Sequence, residues 1–351
     1  MAASALVCLL LLEVVCRLFI EGALVKTLEV PREETAIVAD DAVGFRLRPG
    51  DRDGMHINSF GLRGEERSQT KRPGCERILM IGGSTTFGNT VGDTETYPYQ
   101  TEQILRRQSP DRCVEVINAG ISGATSYHHL LRLRHQYLAL GPDVVTFYVG
   151  WNDYANYIWS MDDWDPTSLS TQTLVVDVSD LQMLALRTSA LYRVVYTLWR
   201  SARFERNIAR IAAEEHPDQA LAKVTAAFRD NLRESTALCR EHGAEVVLIK
   251  FPWVIDDADP EGDIRRLSER PAESKVRRAE DLIRTFVTVR RLVFDIYDEL
   301  GEEEGVSVVD CSTPFRELPF ERRLELFDDP IHPNAAGYRR IADCLASHLT
   351  E

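Results

Sequence analysis

The sequence predicts an α/β fold in three layers, with a central parallel sheet of about five strands between two layers of helices. Short apolar runs rich in β-branched residues recur along the chain, and amphipathic helical patterns separate them. The 351 residues include 44% hydrophobic and 27% charged side chains, as expected for an ordinary globular protein. Strands that alternate with helices are typical of a parallel sheet covered on both faces. An N-terminal hydrophobic helix and a helical insertion are expected in addition to this core.

The five predicted strands are short and apolar. They are Ile78–Ile81, Val114–Ile117, Val144–Val149, Glu245–Phe251 and Val306–Val309. Apolar residues at helical spacing follow the first, second and fourth strands, and a last helical pattern closes the chain. The carboxyl ends of parallel strands meet at one edge of the sheet, which is where ligands bind in open α/β folds.

Residues 1–22 form a hydrophobic segment, which we interpret as an uncleaved membrane anchor. Residues 2–20 contain two charged side chains, Glu13 and Arg17, and are about long enough to span a bilayer as a helix. Because these two residues are four apart, they can pair on one helix face. A buried amphipathic helix is the alternative. The anchor predicts a membrane-bound protein whose main domain is periplasmic or extracellular.

The rest of the chain is divided into an N-terminal extension, residues 23–75, and a main domain, residues 76–351. The interval between the third and fourth predicted strands is too long for a simple crossover connection. We assign about residues 158–215 of this interval to a helical cap. The helical pattern that follows is the expected crossover helix.

Charge and cysteine content limit the classes of partner. A formal net charge of −14 disfavours nucleic acid as a partner. The seven cysteines lack metal-ligand spacing, so no metal site is predicted. Cys75 and Cys113 each stand just before a predicted strand. If these strands are parallel neighbours, the two sulfurs lie at one sheet edge and can form a disulfide in an oxidising compartment. Two free thiols are the alternative.

A glycine-rich stretch, GGSTTFG, follows the first predicted strand and contains Ser84. It lacks the lysine of a phosphate-binding P-loop and does not match the GxGxxG pattern of dinucleotide-binding turns. A strand, a turn and a helix remain, which places the Ser84 hydroxyl at the carboxyl edge of the sheet. The Ser84 N–H then lies near a helix N-terminus and is suited to stabilise an oxyanion. A simple helix N-cap is the alternative.

The motif DPIHPN near the C-terminus places Asp329 three residues before His332. A carboxylate at this spacing can fold back and hold the imidazole in one tautomer, as a general base requires. The alternative is a loop in which Asn334 caps the last helix and His332 has no role. With Ser84 as a nucleophile, Asp329 and His332 complete a candidate catalytic triad.

Two further turns, SGATS and GWND, follow the second and third strands and therefore lie at the same sheet edge as Ser84. Gly123 can offer a backbone N–H where a side chain would block close approach. Asn152 can offer a side-chain amide. Together with the Ser84 N–H they provide three donors for one oxyanion. Taken singly, both motifs are ordinary turns.

Three neighbouring side chains receive structural interpretations. Asp153 is expected to brace its turn rather than react. His128 and His129 open a helical pattern and are expected to be surface or capping groups.

The motifs GGST, SGATS, GWND and DPIHPN resemble the four sequence blocks of the SGNH hydrolases, the GDSL-like esterase and lipase superfamily. The resemblance extends from about Arg77 to the C-terminus and is interrupted by the cap. It implies a flavodoxin-like fold, no cofactor, and catalysis by Ser84 as nucleophile and His332 as base, oriented by Asp329. Gly123 and Asn152 would be the oxyanion donors beside the Ser84 N–H.

Two positions depart from the superfamily pattern. Gly83 stands where the family name has an aspartate before the serine, and Trp151 stands where many members have glycine. The Trp151 indole is expected to narrow or line an acyl pocket, and Trp151 and Tyr154 are the candidate substrate-binding residues. The segment HINSFGLRG, residues 56–64, is predicted to form a short strand and turn. It resembles that of bacterial membrane-anchored members, which are often associated with cell-envelope chemistry.

The resemblance favours a serine esterase that hydrolyses an O-acyl ester. A short acyl group on a carbohydrate or cell-envelope glycan is the expected substrate. An O-acyltransferase that acts on an exopolysaccharide with the same residues is one alternative. A non-catalytic glycan-binding protein on the same fold is the other.

Overall fold

The computed structural model describes residues 2–20, 36–52, 54–171, 178–269, 280–303 and 305–350. The described strands are β1 (Ile37–Asp40), β2 (Gly44–Leu47), β3 (Gly50–Arg52), β4 (Met55–Ile57), β5 (Cys75–Gly82), β6 (Cys113–Gly120), β7 (Val144–Tyr148), β8 (Glu245–Lys250) and β9 (Val306–Asp310).

Strands β5 to β9 form the central sheet, in the order β6-β5-β7-β8-β9, with every pair parallel. Each of the five strands overlaps one of the five predicted apolar runs. Strand β7 is buried along its whole length, as a sheet covered on both faces requires. The predicted three-layer α/β fold is thus confirmed.

The described helices are α1 (Ala2–Val15), α2 (Ser84–Phe87), α3 (Tyr97–Gln108), α4 (Ser126–Arg132), α5 (Trp151–Ser160), α6 (Asp180–Thr188), α7 (Ala190–Ala212), α8 (Pro217–Ala220), α9 (Ala222–Glu241), α10 (Pro260–Ser268), α11 (Glu280–Gly301), α12 (Thr313–Arg316), α13 (Phe320–Leu324) and α14 (Ala335–His348). Helices α3 and α14 pack together in one layer. Helix α9 packs against α4 and α11 in the other.

The N-terminal extension forms two antiparallel hairpins, β1–β2 and β3–β4. The second hairpin includes the start of the HINSFGLRG segment, and a turn follows it, as the sequence predicts. Residues 21–35, which include the start of the predicted extension, lie outside the described residues.

Helix α1 continues as a π-helix over Cys16–Ile20. The predicted pair of Glu13 and Arg17 is present, with 2.7 Å between the carboxylate and guanidinium. Many apolar side chains of this segment are exposed, which argues against the alternative of a buried helix. In the part of the chain that the structure describes, the helices are either too short or too polar to cross a membrane. The anchor at residues 1–22 stays a prediction.

The predicted cap, residues 158–215, contains the end of α5 together with α6 and α7. Residues 172–177 within it lie outside the described residues. The aromatic residues at the end of α5 pack inside the cap. Trp159 stacks on Phe204 with ring centroids 4.5 Å apart, and Tyr157 meets Trp164 edge-on at 5.2 Å.

Two disulfides link elements of the central sheet and its last helix. Cys75 and Cys113 are the first residues of β5 and β6, face each other in the parallel register and are bonded. Cys311 directly follows β9 and is bonded to Cys344 on α14, a pairing that the sequence did not suggest. The second disulfide ties the edge strand of the sheet to the last helix.

Candidate active site

Three turns meet at the carboxyl edge of the sheet. Gly82, the last residue of β5, is paired with Gly120 at the end of β6 and with Tyr148 at the end of β7. Beyond this register the chain leaves the sheet into α2, the turn at 121–125 and the start of α5. The shared register brings residues that are distant in sequence into one site.

Ser84 is the first residue of α2 and follows β5 after a single intervening residue. The helix is short because Gly88 takes a left-handed conformation, with φ of 87°, and its N–H donates to the Ser84 carbonyl at 2.8 Å. The backbone of α2 lies so close to β6 that a β-carbon on Gly120 would collide with the backbone nitrogen of Phe87. The Ser84 hydroxyl is held at the sheet edge, and its Oγ lies 2.8 Å from Nε2 of His332.

His332 is oriented by Asp329. The imidazole Nδ1 lies 2.7 Å from Oδ2 of Asp329. The other carboxylate oxygen accepts hydrogen bonds from the backbone N–H groups of Ile331 and His332, both at 2.9 Å. The carboxylate is therefore fixed through both of its oxygens, and the local turn predicted from the spacing is present.

Two opposing effects set the pKa of Asp329. Partial burial disfavours the charged carboxylate, but the hydrogen bond and electrostatic interaction with His332, together with the two backbone N–H groups, lower the pKa of Asp329 below its usual range. An ionised carboxylate only accepts hydrogen bonds, so Nδ1 of His332 carries the proton. This tautomer leaves Nε2 to accept a hydrogen bond from the Ser84 hydroxyl.

The loop that carries His332 is tied to its surroundings. The N–H of Asp328 donates to the His332 carbonyl at 2.9 Å, and Val254, from the loop after β8, donates to the Pro330 carbonyl at 3.0 Å. Asn334 caps α14 by accepting from the N–H groups of Ala336 and Gly337. The capping role of Asn334 and the contact of His332 with Ser84 are thus both present.

Asn152 and Gly123 lie in the two neighbouring turns. The Asn152 amide nitrogen donates to the Ala124 carbonyl at 2.9 Å and lies against Gly83. Gly123 has a left-handed φ of 76°. Its turn is held to the end of β5, because the N–H of Ile121 donates to the Gly82 carbonyl at 2.9 Å. The Asn152 amide and the Gly123 turn therefore both lie beside the segment that leads into Ser84.

Asp153 has a structural role, but its side chain braces the turn after β6 and not its own turn as predicted. Its buried carboxylate accepts hydrogen bonds from the Ser126 N–H at 3.0 Å and the Ser126 hydroxyl at 2.5 Å. Asn231 donates to the same hydroxyl at 3.0 Å. Burial raises the pKa of Asp153 to about 7 despite these hydrogen bonds. Asp153 thus connects α5 to the start of α4.

The two candidate substrate-binding residues are both in the core. The Trp151 ring is 7% exposed and contacts Phe251, Trp253 and Phe286 at centroid distances of 5.1 to 5.6 Å. Tyr154 has no exposed surface, and its hydroxyl shares a 3.0 Å hydrogen bond with Thr225. The structure therefore corrects the assignment of Tyr154 to substrate binding. The spacing of the apolar residues in α5 turns this side chain toward α9.

His128 and His129 are also buried, so the expectation of surface groups is wrong. The expected capping role is present for His128, whose Nδ1 accepts from the backbone N–H of Thr125 at 3.2 Å. Its Nε2 donates to the Leu169 carbonyl at 3.1 Å. Burial lowers the pKa of His128 to about 4, so the imidazole is neutral at physiological pH.

Sequence analysis missed Arg63, which is 3% exposed and holds the loop after α2. Its guanidinium donates to three backbone carbonyls of this loop and pairs with the Asp93 carboxylate at 2.6 Å. The carbonyls belong to Phe87, Gly88 and Val91. Arg63 lies in the polar HINSFGLRG segment, which was the available signal in the sequence. That segment does not identify the partners of Arg63, because they are more than twenty residues away along the chain.

Comparison with known proteins identifies one family. The model of the GDSL-like lipase/acylhydrolase family matches residues 80–340, which is most of the chain and includes all four turns of the site. None of the curated protein sequences matches the chain.

Several solved structures are similar in part. A GDSL-like lipase from Bacteroides thetaiotaomicron is 14% identical with a TM-score of 0.40, over 78% of this chain and 88% of that one. An acetylxylan esterase from Geobacillus stearothermophilus is 18% identical with a TM-score of 0.43, over 79% of this chain and 94% of that one.

Proposed function

Because the chain belongs to the GDSL-like lipase/acylhydrolase family and is a serine ester hydrolase, we propose that it removes a short acyl group from a carbohydrate or cell-envelope glycan. Ser84, His332 and Asp329 are the proposed catalytic triad. The observation that carries this assignment is the continuous chain of contacts from the Ser84 hydroxyl through His332 to Asp329, at 2.8 and 2.7 Å.

The proposed reaction has two stages. Nε2 of His332 accepts the hydroxyl proton while Oγ of Ser84 attacks the ester carbonyl carbon. The same proton then passes to the leaving alcohol oxygen as the ester C–O bond breaks, which leaves an acyl group on Ser84. In the second stage His332 deprotonates a water molecule that attacks this acyl group. The proton returns to Oγ as the carboxylic acid departs.

The oxyanion that forms in both stages needs hydrogen-bond donors at the sheet edge. The proposed donors are the backbone N–H groups of Ser84 and Gly123 and the amide of Asn152. Their support is the position of the Asn152 nitrogen beside Gly83 and of the Gly123 turn beside the end of β5. Donors of this kind are worth several kcal/mol each at the transition state.

Two features of the surroundings support a small acyl group on a polar alcohol. Trp151, directly before Asn152, is packed against Phe251 and Trp253, and this aromatic packing next to the proposed donor in the chain favours a short acyl group over a long one. Polar side chains lie near Ser84 on the loop after α2 and on the turn after β6. Asn89 and Thr90 are exposed, and the Ser122 hydroxyl donates to the Asn89 side chain at 2.6 Å. Such groups suit the hydroxyls of a sugar.

We place the protein outside the cytoplasm, in the periplasm or at the cell surface. Two disulfides support this location, since disulfides persist in oxidising compartments and are rare in the cytosol. The hydrophobic N-terminal segment is consistent with export.

The first experiment tests whether the triad is catalytic. The full chain should hydrolyse p-nitrophenyl acetate and react with a fluorophosphonate probe, and Ser84→Ala should abolish both. Ser347→Ala is the matched control, because Ser347 lies on an exposed face of α14. Absence of labelling in the wild-type chain would favour a glycan-binding protein on a hydrolase fold.

The second experiment tests the substrate and the acceptor. An O-acetylated oligosaccharide is supplied with and without an unacetylated polysaccharide, and both acetate release and polysaccharide acetylation are measured. Released acetate in both conditions supports the hydrolase. Acetylation of the polysaccharide together with a decrease in released acetate supports the acyltransferase. A higher kcat/KM for p-nitrophenyl octanoate than for the acetate would contradict the short acyl group.

A further inference from the structure

Exposed large apolar side chains are concentrated in one part of the molecule. Among the described residues, Phe60 is the single example outside α1, its π-helical continuation, α6 and α7. On α6 and α7 the exposed fractions run from 50% to 77%, for Leu181, Leu184, Val195, Leu198 and Trp199. Isolated exposed apolar residues are normal on a soluble protein, whereas a cluster marks an interaction surface.

These five residues occupy one side of each helix. Leu181 and Leu184 are three apart on α6. Val195, Leu198 and Trp199 are spaced by three and four on α7, so they lie on one helix face. We call Leu181, Leu184, Val195, Leu198 and Trp199 the apolar face. The opposite side of α7 is buried, whereas none of the described residues covers the apolar face.

Glu13 joins the hydrophobic N-terminal segment to the start of α7. Its carboxylate accepts hydrogen bonds from the backbone N–H groups of Ala190 and Leu191, at 2.8 and 2.9 Å, and from the Ser189 hydroxyl at 2.8 Å. A carboxylate at a helix N-terminus is favoured by the helix dipole and by the unpaired N–H groups there.

Arg17 and Cys16 complete the junction. The Arg17 guanidinium donates to the Thr188 carbonyl at 2.8 Å, at the end of α6. Cys16 is buried against Ala190 and Val194. Both charged side chains of residues 2–20 thus bind at the junction of α6 and α7. The exposed apolar side chains of α1 and the apolar face therefore belong to one structural unit.

The charge around the apolar face is opposite to that of the whole protein. Residues 178–212 carry six arginines and two acidic side chains, in a chain with a net charge of −14. Arg193 is buried, and Arg203 and Arg210 pair with carboxylates at positions 163 and 162. Arg187 and Arg206 are exposed, three residues after Leu184 and seven after Trp199, so they lie on the same helix sides as the apolar face. This local positive charge complements an anionic surface and opposes the pairing of two copies through the same face.

We propose that the apolar face, together with the exposed apolar residues of α1, rests on an anionic lipid surface. The apolar side chains enter the boundary between headgroups and acyl chains, and the exposed Arg187 and Arg206 contact the headgroups. Helices that combine exposed Trp and Leu with arginines bind membrane surfaces in this way, by burial of apolar area and attraction to anionic lipids. The apolar face shares no residue with the proposed esterase site, and the proposal does not depend on that site.

The experiment measures whether Trp199 enters the bilayer. The full chain is mixed with vesicles of phosphatidylcholine and phosphatidylglycerol, prepared with plain or brominated acyl chains, and tryptophan fluorescence is recorded. We expect brominated lipid to quench the wild-type chain and Trp199→Phe to lose most of this quenching. Phenylalanine keeps the side chain apolar, so the variant should still float with the vesicles. Trp164→Phe, in the cap but outside the apolar face, is the matched control and should keep the quenching.

Two results would overturn the proposal. The first is flotation of the wild-type chain with no bromine quenching, or with the same quenching in Trp199→Phe, which would place the apolar face away from lipid. The second is the absence of flotation with vesicles. If the chain also self-associates in sedimentation and Leu198→Ser abolishes that association, a second copy covers the apolar face instead.

Discussion

The side-chain amide of Asn152 occupies the space that a β-carbon on Gly83 would need. The backbone of Gly83 has φ of −84°, which any residue adopts, so its conformation does not require glycine. Glycine is required at this position because the side-chain nitrogen of Asn152 comes close. A β-carbon on residue 83 would lie 2.4 Å from that nitrogen, well inside van der Waals contact. In this chain the glycine before Ser84 thus leaves the space in which the Asn152 amide, the proposed oxyanion donor, lies.

Replacement of Gly83 by alanine is expected to push the Asn152 amide away from the oxyanion position. Loss of one donor costs about a hundredfold or more in kcat, so we expect a drop of that order in kcat on p-nitrophenyl acetate with little change in thermal stability. Gly92→Ala is the matched control. Its φ is −69° and its β-carbon would meet Glu95 at an ordinary 3.4 Å. Unchanged kcat in Gly83→Ala would show that Asn152 does not assist the reaction.

Substitution of Asp329 by asparagine is expected to disable the base. The amide cannot stabilise the imidazolium that forms when His332 takes the Ser84 proton, and it can favour the wrong tautomer. We expect kcat to fall about a thousandfold or more, while the fold remains intact. Asp328→Asn removes a neighbouring exposed carboxylate and should leave kcat unchanged. Equal activity of the two variants would contradict the assigned role of Asp329.

Asp153 is expected to make folding stability depend on pH. Its pKa is about 7 in the folded chain because of burial, against an ordinary value near 4 when unfolded. Between these values the folded state holds a proton that the unfolded state has released, so the free energy of unfolding falls as the pH rises toward 7. Asp153→Asn cannot ionise and keeps an oxygen acceptor for Ser126. Urea unfolding should show that the free energy of unfolding falls less between about pH 5 and about pH 8 in the variant than in the wild type. An equal fall in both proteins would contradict this role of Asp153.

Local pattern explains which parts of the site the sequence predicts. The five apolar runs identify the strands, and the common edge of parallel strands then brings together the turns that contain Ser84, Gly123 and Asn152. The pairing of Asp329 with His332 needs only three residues of sequence. Each of these inferences depends on short-range spacing plus one rule of sheet geometry.

The features that were missed depend on contacts between distant segments. His128 is buried because Phe45 of the first hairpin packs on it, with centroids 5.3 Å apart, and no periodic pattern connects the two segments. The orientation of Tyr154 was accessible from sequence. Trp151, Tyr154 and Ile158 recur at helical spacing, which indicates a core-facing side of α5.

Arg63→Lys is expected to loosen the loop after the α2 helix. Lysine keeps the charge beside Asp93, but its ammonium cannot reach the three carbonyls that the guanidinium fork binds. Buried carbonyls left without donors should lower the free energy of unfolding by roughly 2–4 kcal/mol. Because the same loop follows Ser84, we also expect a lower kcat. Arg67→Lys is the matched control, since Arg67 pairs with Glu102 at 2.8 Å rather than with this loop. Equal effects of the two substitutions would contradict the role of Arg63.

The disulfide between Cys311 and Cys344 is expected to stabilise the part of the fold that carries His332. It closes a loop of 33 residues and ties the end of β9 to α14, the helix that begins just after the His332 loop. In the chain-entropy account, a loop of this length corresponds to a stabilisation of up to about 4 kcal/mol. The double substitution Cys311→Ser with Cys344→Ser should therefore lower Tm by several degrees and reduce the effect of dithiothreitol on Tm. Cys8→Ser replaces a free thiol and should leave Tm unchanged. If the double variant melted at the wild-type temperature, the bond would contribute nothing to the stability of this region.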